Sequence, residues 1–231
     1  MAVSVDTVYQ RVLALANKEQ RGYITPQEFN LFANQVQMDI FEQYFYDLNQ
    51  FSRTPGNSTM HADMVDILEE KISIFEVTSV LPGPIGGSNV ANLNTLPRFY
   101  RLSNVRRNNL ILESVSRKDF RMFPNSPLTA PTETRPIYMV DTTNNTIQVA
   151  GGIFGLLDID YISQPATAQW AYVVVNDKAL YNDNVSVDFE LHASEESELV
   201  YRILMLSGIA IKKPELTQVA GGIEASKQEK Q

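Results

Sequence analysis

The apolar positions of the first fifty residues fall at helical spacing. Val5, Val8, Val12, Leu15 and Ala16 recur every three or four residues and predict one helical face. Gly22 follows where a helix would stop. The next start is marked more sharply. Thr25 is placed to cap, Pro26 falls at the first helical position and Glu28 at the third, which makes a T-x-x-E capping box. Phe29, Phe32, Val36, Ile40, Tyr44 and Leu48 continue at the same period, with Phe41 and Phe45 widening the stripe. The predicted helix, 25–51, is about 40 Å long at 1.5 Å per residue. Its apolar face is broader than one short first helix covers, so other elements or other subunits must share it.

Residues 1–55 thus predict a helical hairpin, closed by the breakers Pro55-Gly56-Asn57. From 56 to 192 the pattern is β-rich. Met64, Ile67, Leu68 and Ile72 suit a short helix, and Phe75, Val77 and Ser79 a following strand. Residues 82–97 hold three Pro, three Gly and no charge, and predict a long loop. Two hairpins are expected, one turning at Asn108-Asn109 and one at 142–145, with further strands at 155–162, 170–175 and 185–191. Four prolines make 124–136 an extended connector. A helical period returns over 193–213, with Glu195, Glu196 and Glu198 in its first turn, where the helix dipole favours anions, and Pro214 ending it. Residues 214–231 read as an extended polar tail. The expected fold class is α+β: long N- and C-terminal helices forming a helical bundle, with an inserted small antiparallel β-domain, a sandwich or open barrel.

Composition narrows the chemistry. No cysteine among 231 residues excludes disulfides, thiolate metal sites and a thiol nucleophile. Two histidines leave little for a His-rich metal centre, and His192 reads as a helix-terminus residue. There is no phosphate-loop or nucleophile-elbow motif, and the expectation is a non-enzyme with no cofactor. The first residues do not read as a signal peptide, and no apolar run reaches the roughly 20 residues of a membrane span, so a soluble cytoplasmic product is expected. The run 17–28 imitates a calcium-binding loop, with Gly22 at position six and Glu28 at position twelve. Arg21 stands where an oxygen ligand belongs, and a guanidinium has no lone pair for Ca²⁺. A helix-joining turn is the expectation there.

The net charge of −8 is unevenly distributed. Arg98, Arg101, Arg106, Arg107, Arg117, Lys118 and Arg121 face only Glu113 and Asp119 within 98–121, a +5 segment that leaves −13 on the remainder. Three readings apply: solvated strand faces, a docking patch for an acidic neighbour, and direct nucleic-acid contact. Sparse aromatics in the cluster weigh against the last. Glu195, Glu196 and Glu198 are the candidate acidic counterpart.

Four segments, in order, resemble structural proteins of tailed bacteriophages: VLALANKEQRGYITPQEFNLFANQVQMDIFEQYF, ESVSRKDFRMFPNSPLTAPTETRPIY, IDYISQPATAQW and DFELHASEESELVYRILMLSGI. Together they span roughly residues 3–213. The likeness is to the tail-adaptor or ring proteins that stack beneath the portal at the head–tail junction of short-tailed, crAss-like phages. It implies a virion protein assembled in the bacterial host cytoplasm, a homo-oligomer in a roughly twelve-fold ring. Portal protein would lie above it and further tail rings below, with DNA passing through the lumen unread and no membrane contact. It implies no catalytic residue. Other readings that share this composition are a minor capsid or cement protein and a calcium-binding helix-loop-helix module.

Overall fold

The computed structural model describes residues 3–18, 24–53, 59–82, 90–107, 110–152, 155–176 and 178–210. Helices α1 (Val5–Lys18), α2 (Pro26–Arg53) and α3 (Thr59–Ser73) come first. Strands β1 (Glu76–Pro82), β2 (Val90–Asn92), β3 (Phe99–Arg107), β4 (Leu110–Ile111) and β5 (Glu113–Ser114) lead to the short helix α4 (Arg117–Met122). Then come β6 (Ile137–Asp141), β7 (Thr146–Ala150), β8 (Leu156–Ser163), β9 (Tyr172–Val175), β10 (Lys178–Tyr181) and helix α5 (Glu196–Ala210). The class is α+β.

The chain divides into two compact units, one of residues up to Ile74 together with Pro165 onward, the other Phe75–Gln164. In the first unit α2 begins as the capping box predicts. Glu28 Oε2 accepts from the Thr25 backbone N–H at 2.9 Å and from its hydroxyl at 2.7 Å, while the Glu28 N–H donates back to Thr25 Oγ1 at 3.3 Å. These bonds hold the Glu28 carboxyl below its ordinary range, the Thr25 backbone N–H first. The broad stripe is buried along Phe29, Ala33, Val36, Ile40, Phe41 and Tyr44. α5 packs on α1 and α2 through Leu199, Val200, Ile203 and Leu204. An extended segment also lies along α2. Asn30, Asn34 and Gln37 share one helical face, and their side-chain amides donate to the carbonyls of Trp170, Ala168 and Ala166 at 3.2, 2.9 and 2.6 Å. Trp170 is buried and its Nε1 donates to Asp6 at 2.9 Å.

The second unit has two four-stranded sheets, ordered β1-β8-β3-β4 and β2-β7-β6-β5. Inward residues of both sheets, among them Leu81, Val105, Leu157, Ile159 and Tyr161 from one and Ala91, Tyr138, Ile147 and Val149 from the other, form a single core. Pairing is antiparallel except β5–β6, which is parallel because the α4 crossover separates them. At the β6–β7 turn Asp141 accepts from the Thr143 N–H and the Asn144 amide, both at 3.1 Å, and Asn145 takes φ +50°. Gly151 has φ +123°, and a Cβ there would stand 2.7 Å from the Thr132 carbonyl oxygen.

Several expected boundaries differ. The long loop at 82–97 is shorter than its composition suggests: Ala91, Leu93 and Leu96 are buried, so 90–92 is drawn into a sheet, and 83–89 lie outside the described residues. The strand expected at 185–191 makes only isolated bridges, Val187 to Gln169 and Phe189 to Val3, because its hydrogen bonds go to separated partners. Residues 59–73 are helical and 165–191 belong with the helices, so the β-rich region does not run from 56 to 192. Of the calcium-loop-like run, 19–23 lie outside the described residues, as do the Asn108-Asn109 turn and 211–231.

Candidate functional site

The three glutamates expected as an exposed acidic counterpart are engaged within the helical unit. Glu195 is buried and its Oε1 lies 2.7 Å from Lys71 Nζ, with the Ser194 hydroxyl donating to it at 2.9 Å. Glu196 pairs with Arg11 at 2.8 Å. Glu198 accepts from Arg202 one helical turn on, and Arg202 reaches Gln43 on α2 as well. The first turn of α5 therefore ties the helices to one another. His192 caps the turn before it, its Nδ1 accepting from the Ser194 N–H at 3.3 Å.

The Lys71–Glu195 pair and Glu198 line one side of a cavity of about 210 Å³ whose other walls include Ile40, Phe51, Met64, Ile67 and Leu68. Lys71 Nζ also stands 5.6 Å from the centre of the Tyr44 ring. Burial raises the Tyr44 phenol well above its usual range, and the nearby Glu195 and Glu198 carboxylates add to this. Burial likewise raises Asp47, opposed by the Gln43 hydrogen bond and by the Lys71 and Arg202 charges. The cations here already hold carboxylates, so the cavity's polar side works as a clamp between α2, α3 and α5.

The basic segment of the other unit divides into two groups. Arg106 is used inside the sheet: its guanidinium lies 2.7 Å from Asp160 Oδ1, which also accepts from the Thr78 hydroxyl at 2.7 Å. Asp158 and Asp160 alternate along β8, and Asp160 faces this cation on the neighbouring strand β3. Arg117 stands 3.8 Å from Asp141, a carboxyl held below its ordinary range first by the Thr143 N–H. Arg98, Arg101, Lys118 and Arg121 are exposed, and Arg107 is half-buried. Arg98 adopts φ +49° in the turn before β3.

The helix α4 carrying Lys118 and Arg121 starts on a Ser116 cap, the Ser116 hydroxyl donating to Asp119 at 2.7 Å and accepting from its N–H at 3.2 Å. No residue of α4 is buried. Beside it lies an open cleft of about 520 Å³ lined by Val90, Phe120, Pro124, Pro131 and Ala150 among others. Met122 is exposed, and Leu128 on the following connector is 95% exposed.

Sequence reasoning missed the most apolar exposed feature. β9 and β10 form a two-stranded hairpin in which Val173, Val174, Val175 and Leu180 all face solvent, Val174 being 62% exposed. Val185 and Val187 are exposed nearby in the sequence. The hairpin base is anchored by Trp170, whose ring stacks on Tyr172 and Tyr181 with centroids 5.8 Å away in each case. The available signal was the Val-Val-Val run itself, which reads as a buried strand until burial is known.

Among the described residues no three His, Asp or Glu side chains gather as a metal-holding group, and no helix is long and apolar enough to cross a membrane. No protein-family model matches the sequence, and no curated protein matches it.

Proposed function

We propose that this chain is a structural virion protein that forms a ring at the head–tail junction of a tailed bacteriophage, below the portal. There it extends the DNA channel and offers the surface on which tail components dock. Helices from both ends of the chain form a helical bundle in the ring, and the inserted β unit meets the next component. The single observation that carries the assembly reading is the β9–β10 hairpin. Two strands alone are marginal in water, and exposed valines on open edges invite another chain. A monomeric protein gains nothing from such a hairpin, whereas an assembling one buries it. The acidity of the chain suits a conduit, since a lumen that repels phosphate passes DNA without holding it.

Reconstruction of the neck of virions containing this protein tests the reading. The expected result is ring density into which both units fit, with about a dozen copies per particle by quantitative mass spectrometry. Hundreds of copies spread over the capsid would instead identify a cement protein, and no density at the neck would reject the ring.

A further inference from the structure

We propose that α3 of one copy docks in the cleft beside α4 of the next copy, giving a head-to-tail contact. The inference rests on the self-assembly reading above and names the surfaces that meet. Asp63, Asp66, Ile67, Glu70 and Ile74, spaced three, four, seven and eleven residues from the first, follow one edge of α3 and the turn after it, with Ile67 at the rim that this edge shares with the cavity described above. All five are exposed, as is Glu69, while Leu68 and Ile72 point into the core and Lys71 turns inward to Glu195. The two exposed isoleucines are seven residues apart, about 10 Å along a helix. This edge is an apolar pair set among three exposed carboxylates.

The complement stands on the other unit. The cleft lined by Val90, Phe120, Pro124, Pro131 and Ala150, with Gln148 among its other walls, is mostly apolar. Lys118, Arg121 and Met122 are exposed on α4, and Leu128 on the connector, outside the lining itself. Lys118 and Arg121 hold no ion pair among the described residues. Formal charge follows the same division. The helical unit carries 11 basic and 20 acidic residues, −9, and the β unit 8 and 7, +1. A helix face with apolar anchors entering an apolar groove is a recurring recognition mode, and opposite charge on the helix that walls the groove would steer the approach. Because the two surfaces differ and both belong to every copy, the contact is heterologous and propagates from copy to copy, as a ring requires. The commitment to a second copy follows from this complementarity within one chain.

Charge exchange in the full-length chain tests it. One variant carries Lys118→Glu and Arg121→Glu, the other Asp66→Lys and Glu70→Lys. All four positions are exposed, so both variants keep wild-type melting and Trp170 fluorescence. Sedimentation at about 50 mM salt is expected to show self-association of the wild type, weakened at about 500 mM where screening shortens to a few ångströms. Each variant alone should associate at least tenfold more weakly, and an equimolar mixture should recover to within a few-fold of wild type. Either variant associating like the wild type, a mixture no better than its parts, or a wild type monomeric at every concentration would overturn the proposal. Charge-insensitive association together with neck density would leave the ring and reject this contact. Charge-dependent association without neck density would keep the contact and reject the location.

Discussion

Replacing Lys71 by methionine removes the cation from a nearly dry ion pair and keeps most of the side-chain volume. The Glu195 carboxylate is 6% exposed and Lys71 16%, with 2.7 Å between them. Breaking such a pair from one side leaves a buried charge without its counterion, a loss of about 3–5 kcal/mol. The Ser194 hydroxyl still donates to Glu195, and the lysine is not fully enclosed, so the low end, about 3 kcal/mol, is expected. Changing Glu195→Leu as well removes the stranded charge, and the double variant should lie within about 1 kcal/mol of wild type. The single variant is thus less stable than the double, the reverse of additive losses. Trp170 is the only tryptophan and is buried in the same unit, so its fluorescence during urea titration reads that unit alone. With a slope of about 2 kcal/mol per molar urea, the single variant's midpoint should fall by about 1.5 M. A shift under about 0.3 M, or a double variant as unstable as the sum of both singles, would refute the argument that the pair is buried and mutually dependent.

Asp47→Asn should stabilise the helical unit at neutral pH. Burial raises this carboxyl's folded pKa, so its contribution is fully present below the unfolded pKa and lost as pH rises through the folded one; the gap between variant and wild type in urea melts should shrink toward pH 4. A gap that widens on acidification would contradict this. Gly151→Ala places a Cβ 2.7 Å from the Thr132 carbonyl at φ +123°, and is expected to cost about 2 kcal/mol or more; unchanged hydrogen exchange of β6 and β7 amides would count against it. Thr25→Ala removes the hydroxyl of the capping box and should lower stability by about 1 kcal/mol in calorimetry, largely restored by Thr25→Ser.

The elements that could be read directly are those whose signals are local. Thr25, Pro26 and Glu28 set the start of α2 within four residues, and the hydrogen bonds there are the ones the spacing predicts. The turn at 142–145 follows from Asp141, whose carboxylate accepts from the adjacent Thr143 N–H and from the Asn144 side-chain amide. Patterns without such local closure misled. The alternation at 185–191 resembles a strand, yet Asp188 on that segment instead accepts from the Val5 N–H, and Phe189 bridges to Val3. The candidate site divides the same way. That 98–121 is basic is evident from composition, but which of its arginines are taken by Asp160 and Asp141 is not.

The sequence by itself determined the helices of the first fifty residues and the helix that starts near 195, the β character of the middle, the sign and unevenness of charge, and the absence of cysteine chemistry. Each follows from covalent order, local propensity or counting. Only the tertiary structure decided that Glu195 belongs to Lys71, 124 residues away along the chain, and that the amides of Asn30, Asn34 and Gln37 hold 166–170 along α2. It also decided that three consecutive valines stand in water while the acidic face left open is on α3 rather than α5. A charge or an apolar residue has the same identity wherever it lies. Whether it is satisfied depends on which distant side chain packing brings within about 3 Å, and that is a property of the whole fold.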